Sequence, residues 1–223
     1  MASFEKFVDL FKLGYFICDV PEEIMAFSRE QTTKMISTNF EKKISFKNGL
    51  VGAIEHEYRF SAPVPALNVF FKKIIPEYWK NFEVVGSQNY KTKKTYHIPP
   101  SQNRYTHIWV NFQRKYEHNP LHMHSGELSF IYWVNIPYDL EKEKQLPHTM
   151  SSNQQSPPHT TLGFYYPSLS PSPSNITSHH IDIDKTFEGK MIIFPSWLQH
   201  NVTPFYTSED YRISVAGNIY PVE

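Results

Sequence analysis

From about Thr106 to Ile219 the chain breaks into short runs of β-branched and aromatic residues parted by turn formers, and this pattern constrains the fold most. The runs are Thr106–Gln113, Leu128–Ile136, Leu162–Tyr166, His179–Asp184, Lys190–Phe194 and Arg212–Ile219. Strands this short hold only when an apolar face packs on a second layer, so several of them predict a β-sandwich or barrel. The 17 Phe and 14 Tyr agree, because aromatic side chains favour pleated, half-buried surfaces.

Helical signals come earlier. Residues 19–38 open with Asp19 as a possible cap, Pro21 near the first turn, and Glu22 and Glu23 at the positive end of the dipole. Residues 63–82 carry Leu67, Phe70, Phe71, Ile74 and Ile75 on one stripe; Pro76 predicts a break, with helix resuming through Tyr78 and Trp79. Ser, Pro, Asn and Gln dominate 145–160 and 168–178, which read as loops. The expected architecture is mainly β with N-terminal helices. It forms one domain over 1–223, with a helical support region at 1–90 and a β core at 91–223.

Charge narrows the function. Lys+Arg and Asp+Glu balance at 22 each, without the basic bias of a nucleic-acid or membrane-surface binder, so neither partner is expected. The lone Cys18 excludes an intramolecular disulfide and a cysteine-based zinc knuckle. Residues 1–7 mix charge and aromatics where a secretory leader would be apolar, and no run approaches a membrane span; a cytoplasmic protein is expected. The sequons at Asn175 and Asn201 then read as chance.

The chemistry concentrates in Asn119-Pro-Leu-His-Met-His-Ser-Gly-Glu127. On extended backbone, residues two apart point to one face, so His122 and His124 present two imidazoles side by side, a half-site for a Zn-, Fe- or Cu-type ion. A chance pair of surface histidines is the plain alternative among 11 His. The second half is a glycine turn at Gly189, a buried strand, a Pro195-Ser196 corner and His200. Arg212 and Ser214 follow on one strand face. An inward arginine among apolar neighbours is costly without an anion, and its planar fork suits a carboxylate; a salt bridge to Glu209 or Asp210 is the alternative. His107 reads as a core histidine, His179-His180 as a solvated loop pair, and Trp109, Trp133 and Trp197 as core.

The order His-x-His, Gly-x5-Pro-x4-His, Arg-x-Ser resembles the 2-oxoglutarate and Fe(II) dependent oxygenases, over roughly residues 45–220. The likeness is strongest to a branch found in marine bacteria and their phages (a phage origin would mean the host cytoplasm). It is carried also by Leu50–Tyr58, Trp109–Gln113, Leu128-Ser-Phe130 and Pro195 through Asn218. It implies a double-stranded β-helix, the jelly-roll shared with cupins. It also implies Fe(II) on His122, His124 and His200, with 2-oxoglutarate on the iron and held distally by Arg212 and Ser214. Tyr132 and Asn111 either point inward to the co-substrate or are ordinary strand residues. Most of the superfamily has a carboxylate where His124 stands, so Glu127 is the alternative third ligand; strand phase favours His124. The reaction implied is oxidation of an unidentified small molecule or peptide, coupled to succinate release. A cupin-like metalloenzyme without 2-oxoglutarate and a non-catalytic barrel are the competing readings.

Overall fold

A computed structural model of the chain describes residues 13–41, 43–46, 49–61, 63–82, 96–97, 108–151, 159–168 and 176–221. The expectations for residues 1–7, His107 and Asn175 lie outside these. The elements in chain order are β1 (Phe16–Asp19), α1 (Glu22–Ser37), β2 (His56–Arg59), α2 (Val64–Asn81), β3 (Tyr96–His97), β4 (Ile108–Gln113), β5 (Asn119–His122) and β6 (Leu128–Asn135). Then follow α3 (Leu140–Lys144), α4 (Pro147–Met150), β7 (Thr161–Pro167), β8 (Ile176–Asp182), β9 (Lys190–Pro195), β10 (Gln199–Val202) and β11 (Arg212–Pro221).

The strands form two antiparallel sheets. The large one runs β1-β9-β6-β11-β4-β2, with β3 also on β11; the small one runs β5-β10-β7-β8. From β4 onward the chain crosses repeatedly between them, the winding of a double-stranded β-helix. β1 and β2 extend the large sheet, so the N-terminal part supplies strands as well as helices.

Alternation along each strand sorts side chains into two cores. Ile213, Val215 and Ile219 of β11 join Phe130 and Tyr132 of β6 against Ile24 and Met25 of α1 and Leu67, Phe71 and Ile75 of α2. On the other face Trp109, Ile131, Trp133 and Ala216 meet Leu162, Phe164 and Val202 of the small sheet. The space between the sheets is where the histidines gather.

Several sequence expectations change here. α2 runs through Pro76, because Leu67, Phe71, Ile75, Tyr78 and Trp79 form one continuous buried stripe. Proline removes one helical hydrogen bond, and burial of the last turn offsets that loss. Asp19 does not cap α1; it ends β1 and pairs with Lys190 at 2.9 Å, while Pro21 holds the cap position. His179 and His180 lie on β8, not in a loop, and His179 Nε2 meets the Tyr15 hydroxyl at 2.9 Å. Trp197 is 49% exposed at the Pro195-Ser196 corner, whereas Trp109 and Trp133 are buried as expected.

Phe71 is fully buried under the large sheet, while Val69 on the same helix is 57% exposed. Phe71→Ala should cost about 3–5 kcal/mol in urea unfolding and Val69→Ala less than about 0.5 kcal/mol. Equal losses would contradict the packing of α2 on the sheet.

Candidate metal centre

The register of the small sheet builds the site. His122, the last residue of β5, lies directly across from His200 of β10, so both imidazoles stand on one face. His124 lies just past the strand end, where its N–H donates to the Ser196 carbonyl at 2.8 Å. The return contact is Ser196 N–H to the Glu127 carbonyl at 3.1 Å, and the Ser196 hydroxyl donates to the Gly126 carbonyl. Gly126 has φ of +97°, and a Cβ there would meet the Ile219 carbonyl at 3.0 Å, so glycine is required at this turn. The Ser-Gly turn and the Pro-Ser corner, far apart in sequence, are clamped together and carry His124 into place.

The ring nitrogens are oriented by the backbone. His122 Nδ1–H donates to the Pro120 carbonyl at 2.7 Å and His200 Nδ1–H to the Leu198 carbonyl at 2.8 Å. That fixes the tautomer and leaves each Nε2 with a lone pair, as second-shell bonds do for metal-ligating histidines. One nitrogen from each of His122, His124 and His200 lies within 4.8 Å of the others. Among the described residues this is the one group of three or more ligand side chains so placed. The Nε2 atoms of His124 and His200 are 3.2 Å apart. Two nitrogens at about 2.0–2.1 Å from one ion, in tetrahedral or octahedral geometry, would be about 2.8–3.4 Å apart, so this pair fits a divalent cation.

Electrostatics point the same way. Burial, then the neighbouring His122, pulls His124 down to about 3. Burial also lowers His122, and burial with both neighbours holds His200 well below its ordinary value. All three stay neutral at physiological pH, the state a metal requires. Imidazole suits iron, zinc and copper alike. The Glu127 carboxylate is not part of the group; its residue is tied at the start of β6 through its backbone, with N–H to the Ile219 carbonyl at 3.0 Å.

A cavity opens on the triad, walled by Trp109, Leu162, Phe194 and Val202, with Asn111, Asn119 and Glu57 as polar members. Asn111 points inward: its Nδ2 reaches the Ser214 hydroxyl at 3.5 Å, and its buried Oδ1 has no hydrogen-bond partner among the described residues. Tyr132 does not. It faces the helices, where its hydroxyl meets Ser28 of α1 at 2.9 Å, so its expected contact with a co-substrate is corrected.

Arg212 is 2% exposed and lies on the inner face of β11, with Ser214 and Ala216. The salt bridge to Glu209 or Asp210 does not form; Glu209 pairs with Lys115. Instead Arg212 Nε and Nη2 donate to Gln113 Oε1 at 3.1 and 2.6 Å, Nη2 to the Thr203 carbonyl at 2.7 Å, and Nη1 to the Tyr138 hydroxyl at 3.1 Å. The guanidinium also sits over the Phe205 ring at 5.5 Å. Arg212 therefore stands behind the cavity wall, held by four donor contacts. Gln113, Tyr138, Glu57 and Asn119 were assigned no site role in the sequence reading, although Glu57, Gln113 and Asn119 lie in segments that carry the family likeness. The signal for Gln113 was its place two residues after Asn111 on one strand face.

Residues 107–218 match a family model described as "Putative 2OG-Fe(II) oxygenase". Among solved structures, a prolyl hydroxylase from Trichoplax adhaerens, in complex with a hypoxia inducible factor oxygen degradation domain peptide fragment, is similar in fold. Its TM-score is 0.51 at 12% identity, covering 93% of this chain and 83% of that one. A Pseudomonas putida prolyl-4-hydroxylase gives 0.48 at 8% identity, covering 94% and 92%. No curated protein sequence matches the chain.

If these nitrogens hold one ion, their removal should show in metal uptake. Losing even an outer-sphere partner costs about 10–100-fold in affinity, so His122→Ala, His124→Ala and His200→Ala should each weaken Co(II) binding by at least about 100-fold. Glu127→Gln should stay within about threefold of the parent, followed by cobalt absorption. The reverse ranking of His124 and Glu127 would return the carboxylate to the ligand set.

Proposed function

Since this chain belongs to the 2OG-Fe(II) oxygenase family, we propose that it is an Fe(II) and 2-oxoglutarate dependent dioxygenase that hydroxylates a small-molecule or peptide substrate. The observation that carries the reading is the convergence of three neutral imidazoles within 4.8 Å on the inner face of the barrel. His122, His124 and His200 would hold the iron. Bound Fe(II) with 2-oxoglutarate supplies dioxygen activation, with decarboxylation to succinate driving oxidation of the substrate.

The chain's own residues then bind and orient. Three neutral ligands leave the ion its full charge, which strengthens its grip on an anionic chelator. Arg212 and Ser214 are the distal anchors in this reading, and the Asn111 amide lies between them and the triad. Support comes from the strand: Arg212, Ser214 and cavity-lining Ala216 alternate along one face of β11. A carboxylate at Arg212 would replace Gln113 Oε1 on the Nε–Nη2 edge, exchanging a neutral acceptor for a charged one. The walls of Trp109, Leu162 and Phe194 limit water around the reacting centre.

The test is anaerobic titration of 2-oxoglutarate into Fe(II)-loaded protein, following the metal-to-ligand charge-transfer band. A charge-assisted bidentate contact contributes about 1.5–3 kcal/mol, so Arg212→Ala should raise Kd at least about tenfold, with Arg212→Lys intermediate. Cobalt uptake should stay unchanged in both. Absence of the band in the parent would overturn the co-substrate. Unchanged 2-oxoglutarate affinity in Arg212→Ala, with a lower unfolding midpoint, would make Arg212 a purely structural residue.

A further inference from the structure

We propose that Gln113 is a built-in stand-in for the distal carboxylate of the co-substrate, an uncharged amide that occupies the Arg212 fork until an anion displaces it. Gln113 thereby sets both the affinity of the site and its selectivity for an acid. This rests on the reading of Arg212 as the distal anchor, and it adds the residue that competes for that anchor.

Arg212 carries its charge into the interior. Among the described residues its hydrogen-bond acceptors are all uncharged: Gln113 Oε1, the Tyr138 hydroxyl and the Thr203 carbonyl. A buried guanidinium without a counter-charge is unfavourable. Glutamate, the isostere of glutamine, would supply that charge from the same place and close the site permanently. The chain places the amide there instead. Arg212 Nε and Nη2 both donate to the one Gln113 oxygen, along the edge that a carboxylate takes in a bidentate grip. The amide has one satisfactory orientation, because its Nε2 donates to the Glu117 carbonyl. Reversal would set N–H against N–H at the arginine and oxygen against oxygen at Glu117.

Position makes the contact displaceable. Along the β11–β4 ladder Ala216 pairs with Trp109, Ser214 with Asn111 and Arg212 with Gln113. Trp109, Ala216 and Asn111 line the cavity of the triad, so the Arg212–Gln113 pair is the next step along the same inner face. When Gln113 Oε1 leaves the fork, the Thr203 carbonyl and the Tyr138 hydroxyl still hold the guanidinium. That hydroxyl is itself fixed, donating to the Ile183 carbonyl at 2.9 Å. Gln113 keeps its bond to Glu117, whose carboxylate pins the turn by accepting the Arg114 N–H at 2.7 Å and the Glu55 N–H at 2.8 Å. The amide therefore stays tethered at its nitrogen while its oxygen gives up the arginine. A charge-assisted bond is about twice as strong as a neutral one, so a carboxylate wins this exchange and a neutral group does not. Apparent affinity is lowered by the fraction of molecules in which the stand-in holds the fork.

The test titrates 2-oxoglutarate into the anaerobic Fe(II)-loaded full chain, following the charge-transfer band, beside 2-oxopentanoate, a chelator without the distal acid. Glutarate is titrated calorimetrically into the Zn(II)-loaded chain, an arm that needs neither iron nor turnover. Gln113→Ala should tighten 2-oxoglutarate and glutarate at least about threefold and leave 2-oxopentanoate within about twofold of the parent. Gln113→Ser should do the same, and it decides the matter should the alanine variant not fold. Gln113→Glu should weaken both diacids at least about 30-fold, its own carboxylate holding the fork. Cobalt uptake should match the parent in all three. Diacid affinity that is unchanged or weaker in the small variants, or undiminished in Gln113→Glu, overturns the proposal; with the parent band present, the oxygenase reading stands. Absence of the band with the glutarate ranking intact removes the co-substrate reading and keeps the stand-in. Diacids that bind neither the parent nor the small variants overturn both.

Discussion

The site depends on one register: β5 against β10, with His122 and His200 as direct cross-strand partners. Strand pairing fixes side-chain direction with a period of two, so a slip of one residue would turn one imidazole out of the barrel. The same ladder aligns Phe164 beside His200 and so builds the apolar wall behind the triad. His124 alone lies off the ladder. Two turns distant in sequence hold it, the Gly126 turn and the Ser196 corner, through reciprocal backbone bonds.

The large sheet separates two environments. Its outer face is covered by α1 and α2 and is apolar except for hydrogen bonds such as Ser28 to Tyr132. Its inner face carries the polar residues that chemistry needs, Asn111, Gln113, Arg212 and Ser214, each buried. Such groups are tolerated inside a protein only when partnered. Arg212 meets this condition through Gln113, Tyr138 and Thr203, while among the described residues the Asn111 and Asn119 carbonyls do not.

Much of this was legible in the sequence. Strand spacing put His122 beside His124 and Arg212 beside Ser214, while the family resemblance joined His200 to the pair and left the direction of Asn111 open. Tyr132 was misplaced for a physical reason: β6 is buried on both faces, so no alternation of polar and apolar residues reveals its phase. The break at Pro76 was overruled by burial, which lies outside local propensity. β2, β5 and β10 escaped notice because four residues such as Asn119-Pro-Leu-His122 carry no strand periodicity; Pro120 is tolerated there since β5 is an edge. Gln113 and Glu57 needed cross-strand neighbours to acquire meaning, and registers are not written in a single chain segment.

The central claim is that three imidazoles, with no carboxylate, hold the metal. X-ray absorption at the zinc edge of the Zn(II)-loaded protein measures this directly. The account predicts nitrogen scattering at about 2.0–2.1 Å with the outer-shell pattern of three imidazole rings. Two rings with a protein carboxylate oxygen in the third place would contradict it.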